Sequence, residues 1–220
     1  QGSLGRFLLR KVLRIDERVK KKYFLGNSVC KLHLGCGKNI LNGWLNADLF
    51  PRSRQVFHLD ATIPFPFDSN SFDYIYSEHM LEHLTYSSGM LMLSENFRIL
   101  KPNGALRIAT PDMAFLENIY RFPNDPIHKA YIEWSIKTFV PAATSNAPIF
   151  VLNNFVRDWG HCFIYDERLL SDALIGVGFS KVTRVPLNKS DDLELSGLAN
   201  EARMPEGFLE LETMVFEAIK

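Results

Sequence analysis

Three short apolar segments, each ending in a glycine pair or an acidic residue, constrain the fold of this chain more than any other feature. They run from Val29 to Leu34, from Trp44 to Leu49 and from Gln55 to Leu59. Apolar runs of this length between turn residues indicate buried strands. The residues at their ends are Gly35-Cys36-Gly37, Asp48 and Asp60. Because parallel strands carry their ligand site at their carboxyl ends, we expect these residues to share one edge of a sheet.

Further strands and helices alternate along the rest of the chain. Strands are predicted at Phe72 to Ser77, Ala105 to Ala109, Lys181 to Val185 and Thr213 to Ala218, and helices at Ser87 to Leu100 and Glu167 to Val177. The alternation predicts an α/β fold, a Rossmann-like doubly wound sheet of seven strands, mostly parallel with an antiparallel last strand. A chain of 220 residues is long enough to bury one such core, so we expect a single domain over residues 1–220.

Two segments break this alternation. Residues 3–24 carry eight lysines and arginines and have apolar residues at helical spacing, which predicts a basic amphipathic helix. It is either a helix that packs on the domain, which we favour, or a surface for an anionic lipid or an acidic substrate. Residues 113–158 contain helical pieces separated by prolines, and we interpret them as a lid or substrate insertion. The cofactor-binding core would then span residues 29–112, and residues 159–220 would complete the sheet.

The composition narrows the class of protein and its surroundings. The formal net charge is zero, which argues against a nucleic-acid partner, and no apolar run is long enough for a membrane span. The three cysteines, Cys30, Cys36 and Cys162, lack the spacing of a metal site and are typical of a reducing compartment. We therefore expect a cytoplasmic protein without stable membrane insertion, either a monomer or a homodimer, that acts on a small molecule.

The residue types at the strand ends suit the binding of an adenosine group. Gly35 and Gly37 let the backbone turn sharply and approach a ligand where a Cβ would collide. Asp48 can accept hydrogen bonds from both hydroxyls of a ribose. Asp60 can accept one from an adenine amino group, while Ala61 leaves room for the ring. Each acid alone is equally consistent with a turn or a helix cap, but their order at three successive strand ends favours a binding site.

A nicotinamide dinucleotide is the main alternative ligand for such a site. Two details count against it: Ile40 stands where the dinucleotide fingerprint has its third glycine, and Asp48 follows Gly35 by 13 residues where about 20 are expected. The link between the first two strands is also too short for a crossover helix, so we expect a loop or a single turn at Lys38 to Asn42. A cofactor without phosphates has less need of a helix N-terminus at that place.

The stretch from Leu32 to Asp112 resembles the class I S-adenosylmethionine-dependent methyltransferases, specifically their type 11 small-molecule group. The similarity rests on LHLGCG at 32–37, NADL at 46–49, LDAT at 59–62, FPFDSNSFDYIYSEHMLEHL at 65–84 and RILKPNGALRIATPD at 98–112, and it continues in GHCFIYDERLLSDALIGVGFSKV at 160–182. The resemblance implies S-adenosylmethionine as the cofactor, with Gly35 and Gly37 beside its methionine part, Asp48 on the ribose and Asp60 and Ala61 at the adenine. The complete predicted cofactor-binding set is His33, Gly35, Cys36, Gly37, Asp48, Leu49, Asp60, Ala61, Ser77 and Glu78.

The run His79-Met80-Leu81-Glu82-His83 formally matches a zinc-peptidase signature. Its predicted position at a strand end, rather than inside a long helix, disfavours that reading. In some similar methyltransferases an acid-x-x-Glu-His run and a distant histidine hold a divalent ion, and His161 is the candidate for the distant residue here. Because such a ligand set is rich in nitrogen for magnesium, we favour simple pairing of Glu82 and His83 and predict no metal.

The segment from Arg157 to Asp166 places charged residues among aromatic ones and predicts a substrate-binding wall. We assign His83, Arg157, Trp159 and Tyr165 to the substrate. His161 and His79 are the candidate catalytic residues, because a histidine near its ordinary pKa can remove a proton from a hydroxyl or an amine. A purely structural role for His161 and a helix-capping role for Asp166 remain the alternatives.

These observations together predict an enzyme that transfers the methyl group of S-adenosylmethionine to an oxygen, nitrogen or carbon atom of a small molecule, with a sugar or a secondary metabolite as the candidate acceptor. Three other functions stay open at this point. They are a nicotinamide-dependent oxidoreductase of related fold, a cofactor-binding module without catalysis, and metal-dependent hydrolysis through residues 79–83.

Overall fold

The computed structural model describes residues 9–220 and has a seven-stranded sheet at its centre. The strands are Lys31–Leu34 (β1), Leu45–Asp48 (β2), Phe57–His58 (β3), Phe72–Glu78 (β4), Leu100–Pro111 (β5), Lys181–Val185 (β6) and Thr213–Ile219 (β7). Their order is β3-β2-β1-β4-β5-β7-β6. Strands β1 to β5 pair in parallel, whereas β7 is antiparallel to both β5 and β6. The predicted Rossmann-like sheet with an antiparallel last strand is confirmed.

Seven helices of at least five residues, and a helical stretch at residues 9–12, surround or extend this sheet in the described part of the chain. The seven are Ile15–Gly26 (α1), Tyr86–Ile99 (α2), Met113–Arg121 (α3), Pro126–Phe139 (α4), Pro148–Arg157 (α5), Glu167–Val177 (α6) and Phe208–Glu212 (α7). Local signals explain several ends: the Thr85 hydroxyl caps α2, the Asp166 carboxylate caps α6, and Gly178 follows α6 with a positive φ.

The central strands form the main hydrophobic core because both faces of the sheet are covered. Leu32, Leu34, Ile75 and Ile108 have no solvent exposure and belong to one cluster. Near-continuous apolar strands of this kind are what a sheet buried on both faces requires. The linker from β1 to β2, residues 35–44, forms turns, as its length predicted. β5 begins at Leu100, directly after α2, and not at Ala105 as predicted.

The basic N-terminal segment differs from the single helix predicted over residues 3–24. Its residues 3–8 lie outside the described part; residues 9–12 are helical, and Arg14, with a φ of 50°, separates them from α1. The Tyr23 side chain then fixes α1 to the sheet, because its hydroxyl accepts from the Lys31 N–H at 2.7 Å and donates to the Lys31 carbonyl at 2.8 Å. The described part of this segment is therefore packed on the domain.

Residues 113–158 form three helices with a hydrophobic cluster of their own. Phe115, Ile119, Tyr131 and Phe155 are buried in it, together with Phe208 of α7. Helices α4 and α5 both begin with proline in the first turn, where the missing N–H costs nothing. This cluster stands beside the carboxyl end of the sheet, because Asp112 caps α3 directly after β5.

Candidate active site

The glycine bend after β1 is shaped by close contacts and by backbone conformation. Gly35 has a φ of 66°, and a Cβ added to it would lie 2.5 Å from Cγ of Met80. Gly37 has a φ of 54° and would meet nothing within 4 Å. The first glycine is therefore required by packing as well as by φ, whereas the second borders open space in which a ligand could lie.

Asp48 is held in place by two backbone donors. Its Oδ2 accepts from the Gly37 N–H at 2.8 Å, and its Oδ1 accepts from the Phe50 N–H at 2.7 Å. Both bonds leave each carboxylate oxygen with a lone pair for a ligand. Asp48 also accepts through its carbonyl from the Leu59 N–H at 3.1 Å, so the ends of β2 and β3 are adjacent.

Asp60 and Ala61 follow β3 at the same edge of the sheet. The Asp60 Oδ1 accepts from the Thr62 N–H at 2.9 Å and from the Thr62 hydroxyl at 2.6 Å, which fixes the carboxyl group in a tight turn. Ala61 is buried and Leu49 is exposed. The structure thus brings the glycine bend, both acids and Ala61 to the carboxyl ends of three adjacent strands.

His33 was predicted to contact the cofactor, but it lies inside the sheet with 1% exposure. Its Nδ1 is 3.1 Å from Oδ1 of Asn46, which also accepts from the Leu41 N–H at 2.9 Å. The Asn46 Nδ2 donates to two carbonyls, so Oδ1 is the acceptor and His33 carries its proton on Nδ1. Burial lowers the pKa of His33 to about 4, against the smaller opposing effect of Asn46. His33 is therefore a neutral, structural imidazole.

The end of β4 supplies two further predicted cofactor residues. Ser77 is fully buried, and its hydroxyl has no hydrogen-bond partner among residues 9–220. The Glu78 carboxylate accepts from the Asn200 N–H at 3.2 and 3.3 Å. Cys36 is also buried, and burial raises its pKa to about 12, so it stays a thiol. Ser77 is the unsatisfied polar group at this edge.

His79 links β4 to a buried polar cluster. Its φ of 46° is rare for a residue with a side chain and marks a constrained backbone. The ring lies with Nε2 at 2.8 Å from the Thr213 hydroxyl and Nδ1 at 3.3 Å from Oε1 of Glu82. Nε2 is therefore hydrogen-bonded within the protein, and Nδ1 is in contact with the Glu82 carboxylate without a well-directed hydrogen bond.

Glu82 and Glu212 are two buried carboxyl groups with opposite pKa shifts. Burial alone would raise the pKa of Glu82, but the His79 ring outweighs it and places the pKa below its ordinary value. Burial raises the pKa of Glu212, although His79 and Tyr131 partly oppose this. Glu212 accepts a hydrogen bond from the Tyr131 hydroxyl, and Arg203 is 3.5 Å from its Oε1. The two acids beside His79 thus have different tendencies to carry charge.

A cavity of about 260 Å³ opens beside this cluster. Its apolar wall contains Met204 and aromatic rings from α4, α5 and the loop after α5: Tyr131, Trp134, Phe139, Phe155 and Trp159. Its polar wall contains His79, Glu82, His83, His161, Arg203 and Glu212. Many apolar contacts with a few convergent polar groups are typical of a small-molecule site.

His83 and His161 face each other at this polar wall with ring centroids 4.9 Å apart. The Nδ1 of His161 lies 2.6 Å from the Phe155 carbonyl, so Nδ1 carries the proton and Nε2 offers a lone pair. Burial lowers the pKa of His161. His161 is accordingly a neutral imidazole at neutral pH.

The comparison with known proteins agrees with this geometry. A family model described as a methyltransferase domain matches residues 47–108, which include Asp48, Asp60 and the run from His79 to His83. The stretch from residue 47 to residue 108 is therefore similar to a methyltransferase domain.

Solved structures of methyltransferases are similar to this chain in fold. An S-adenosylmethionine-dependent methyltransferase from Archaeoglobus fulgidus superposes with a TM-score of 0.52 and 16% identity over 98% of this chain and 99% of that one. A Thermotoga maritima structure described as a possible histamine N-methyltransferase gives 0.49 and 16% over 98% and 97%. A third, from Mesorhizobium loti, gives 0.49 and 17% over 87% and 91%. No curated protein matches the chain in sequence.

The substrate residues predicted from the sequence separate into two pairs. His83 and Trp159 line the cavity. Arg157 is exposed at the end of α5 and does not line it, and Tyr165 has no exposure and packs in the main core against Phe163. Tyr165 also approaches Gly89, where an added Cβ would lie 2.6 Å from its hydroxyl. Arg157 and Tyr165 therefore do not reach the cavity.

Several residues of the cavity were not found from the sequence. Tyr131 and Trp134 lie one turn apart on α4, and Glu212 ends α7 immediately before β7. The aromatic pair had a weak signal in the helical spacing of residues 131 and 134, which predicts only a shared face. Glu212 had no such signal in the sequence. It comes close to its neighbours only because β7 pairs with β5, where Thr213 lies opposite Pro111.

Proposed function

We propose that this methyltransferase methylates a small molecule bound in the aromatic cavity. The observation that supports this most directly is that the cavity is continuous with the edge of the sheet where the cofactor would bind. Ser77 and Glu78 end β4 at the cofactor edge, and His79 follows them into the cavity wall. Met80 then packs against Gly35, so the glycine bend and the cavity share one short segment.

The residues at the sheet edge fit S-adenosylmethionine. Gly37 borders open space, Asp48 presents an oriented carboxylate to ribose hydroxyls, and Ser77 has a buried hydroxyl without a protein partner. Asp60 and Ala61 would contact the adenine. When bound, S-adenosylmethionine supplies a methyl group on a positively charged sulfur, which is activated for transfer to a nucleophile by in-line displacement.

The cavity would bind the acceptor and exclude water from it. Trp134, Phe139 and Trp159 are stacked edge to face at centroid distances of 5.3 and 4.9 Å, which gives a rigid apolar wall. A volume of about 260 Å³ fits a small acceptor. The protein then contributes chiefly by aligning and desolvating the two reactants. Helices α3 to α5 serve as the lid in this proposal.

The two proposed catalytic histidines have different tasks. His79, whose Nε2 is hydrogen-bonded and whose Nδ1 is in contact with Glu82, is a positioning residue that orients Glu82 and the end of β4. His161 offers its free Nε2 to the cavity and acts on the nucleophilic atom of the acceptor. His83 and Trp159 are the proposed substrate contacts.

The alternatives named from the sequence gain less support. A nicotinamide dinucleotide would need a donor-rich helix start after β1, but residues 35–44 form turns. The zinc-peptidase reading would need residues 79–83 on one helix, but His79 has a φ of 46° and only residues 81–83 form a short 3₁₀ turn. The methyltransferase assignment is therefore the one that we retain.

The composition and the free thiols support the proposed cellular location and the proposed kind of partner. Cys30, Cys36 and Cys162 are all unpaired, which is usual in a reducing compartment and supports a cytoplasmic location. None of the helices in residues 9–220 is long and apolar enough to cross a membrane. A net charge of zero supports a small molecule rather than a nucleic acid as the partner.

Calorimetric titration with S-adenosylhomocysteine tests the cofactor site. We expect binding by the wild-type protein and a loss of at least about tenfold in affinity in Asp48→Ala, about 1.4 kcal/mol. Asp172→Ala is the matched control, because Asp172 is an exposed acid on α6 that makes only a 3.7 Å pair with Arg168. Equal affinities for Asp48→Ala and the control would refute the assignment. Turnover of S-adenosylmethionine with a panel of small acceptors then tests catalysis, and its absence with every acceptor favours the binding-module alternative.

A further inference from the structure

Three potential metal ligands converge at the polar wall of the cavity. Ligand atoms of Glu82, His83 and His161 all lie within 4.8 Å of one another. The two segments that carry them are tied together, because the Glu82 carbonyl accepts from the Cys162 N–H at 2.7 Å and from the Phe163 N–H at 3.1 Å. The backbone therefore holds the distant histidine beside the Glu82–His83 pair.

The contacts of the Glu82 side chain indicate that a positively charged partner is missing. It is fully buried, and its Oε2 accepts from the Thr110 hydroxyl at 3.1 Å. Its Oε1 makes no well-directed hydrogen bond to any residue in 9–220, although Nδ1 of His79 lies 3.3 Å away. A buried carboxylate oxygen without a good partner is costly, and coordination of a cation is one way to offset that cost.

His161 is oriented as metal-binding histidines usually are, and His83 lies beside it. The His161 Nδ1–H faces the Phe155 carbonyl, which fixes the tautomer and directs the lone pair of Nε2 outward. Gly160 lies beside the ring of His83, where an added Cβ would make ordinary contact with Nδ1 at 3.7 Å, and its φ of 79° is the feature that favours glycine there. His83 is exposed toward solvent and can accept an ion from it.

We propose that Glu82, His83 and His161 bind a divalent first-row transition-metal ion, with zinc as the first candidate. Two nitrogen donors and one carboxylate favour such an ion over magnesium or calcium, which prefer oxygen. Three protein ligands leave at least one position open toward the cavity. The site extends the proposed function, on which its role in turnover rests: a positive ion at this place favours the anionic form of an acceptor hydroxyl, whose proton goes to solvent water. His161 then acts on the acceptor through the ion.

Titration of the chelator-treated full chain with ZnCl₂ tests the site without any need for turnover. We expect one zinc ion per chain for the wild-type protein and no comparable binding of MgCl₂ at the same concentrations. His83→Ala and His161→Ala should each lower the zinc affinity by at least about tenfold. His128→Ala is the matched control, because His128 is a partly exposed histidine on α4, outside the proposed site, whose Nδ1 bonds to the Phe122 carbonyl.

Two results of the zinc titration would contradict the proposal. Failure of the wild-type protein to bind zinc stoichiometrically would overturn the proposal, and so would equal zinc affinities for His83→Ala and the control. Because Glu82 is buried, the zinc affinity of Glu82→Gln is compared only after thermal unfolding shows that the variant is folded. His83→Ala changes an exposed position, so it tests the proposal even if Glu82→Gln does not fold. Titration of the same variants with S-adenosylhomocysteine separates the two proposals. Zinc binding can fail while cofactor binding persists, and Asp48→Ala should lose cofactor affinity while keeping zinc.

Discussion

Gly37 donates its backbone N–H to Oδ2 of Asp48 at 2.8 Å, so the bend after β1 and the acid that ends β2 are joined directly. The other carboxylate oxygen accepts from the Phe50 N–H at 2.7 Å. Asp48 therefore organises the cofactor edge before any ligand binds. Such preorganisation lowers the cost of ordering the site on binding.

Asp48→Asn should impair both stability and cofactor affinity. Whichever way the new amide is oriented, its NH₂ group faces a backbone N–H of Gly37 or Phe50 and one hydrogen bond is lost. We expect the free energy of unfolding to fall by about 1 kcal/mol, since Asp48 is only partly buried. Urea unfolding measures this loss, and calorimetry measures the affinity for S-adenosylhomocysteine. Asp172→Asn should change neither quantity, and an equal effect of both variants would contradict the role given to Asp48.

The two glycines of the bend should respond differently to alanine. Gly37→Ala meets no atom within 4 Å, so only its φ of 54° opposes the change, and we expect a loss of about 1–2 kcal/mol in the free energy of unfolding. Gly35→Ala has the same conformational penalty and also brings a Cβ to 2.5 Å from Met80. It should therefore be clearly the more destabilising variant in urea unfolding. Equal losses in the free energy of unfolding would show that the segment at Met80 can move aside without a free-energy cost.

The buried His33 should make stability depend on pH below neutrality. Its pKa is about 4 in the folded protein and near 6.5 when unfolded, so the unfolded chain binds the additional proton between these values. The stabilisation is complete above pH 6.5 and is lost as the pH falls toward 4, by about 3 kcal/mol in total. His33→Leu removes this titration. We expect urea unfolding between pH 7 and pH 4 to show a shallower decline for the variant than for the wild type, and parallel curves would contradict the assignment.

The sequence was sufficient for the sheet because local pattern and topology agree there. Gly35, Asp48 and Asp60 each follow an apolar strand, and parallel pairing then leaves them at one edge, with Leu34 opposite both Ala47 and Ser77. The roles of these residues in cofactor binding remain a proposal. His33 is close to the glycines in sequence, yet side chains alternate along a strand and its ring is directed to Asn46.

The polar wall of the cavity could not be predicted because it depends on pairing between distant segments. Glu212 meets Tyr131 only after β7 inserts between β5 and β6. The Glu82, His83 and His161 cluster was considered from the sequence and set aside for its nitrogen-rich composition. That objection applies to magnesium and not to zinc, and the distances between the ligand atoms became known only from the fold.

Trp159 and Arg157 are both predicted from the sequence to contact the substrate, but the structure predicts different effects on turnover when each is replaced by alanine. The Trp159 ring lines the cavity and packs at 4.9 Å from Phe139 and 5.7 Å from Phe155. Trp159→Ala should therefore lower kcat/KM for an accepted small molecule by at least about tenfold, or about 1.4 kcal/mol, while the affinity for S-adenosylhomocysteine stays unchanged. Arg157 is exposed outside the cavity, and Arg157→Ala should stay within about twofold of the wild type. Production of S-adenosylhomocysteine at varied acceptor concentration measures both variants. A large effect of Arg157→Ala with none of Trp159→Ala would mean that the acceptor binds outside this cavity.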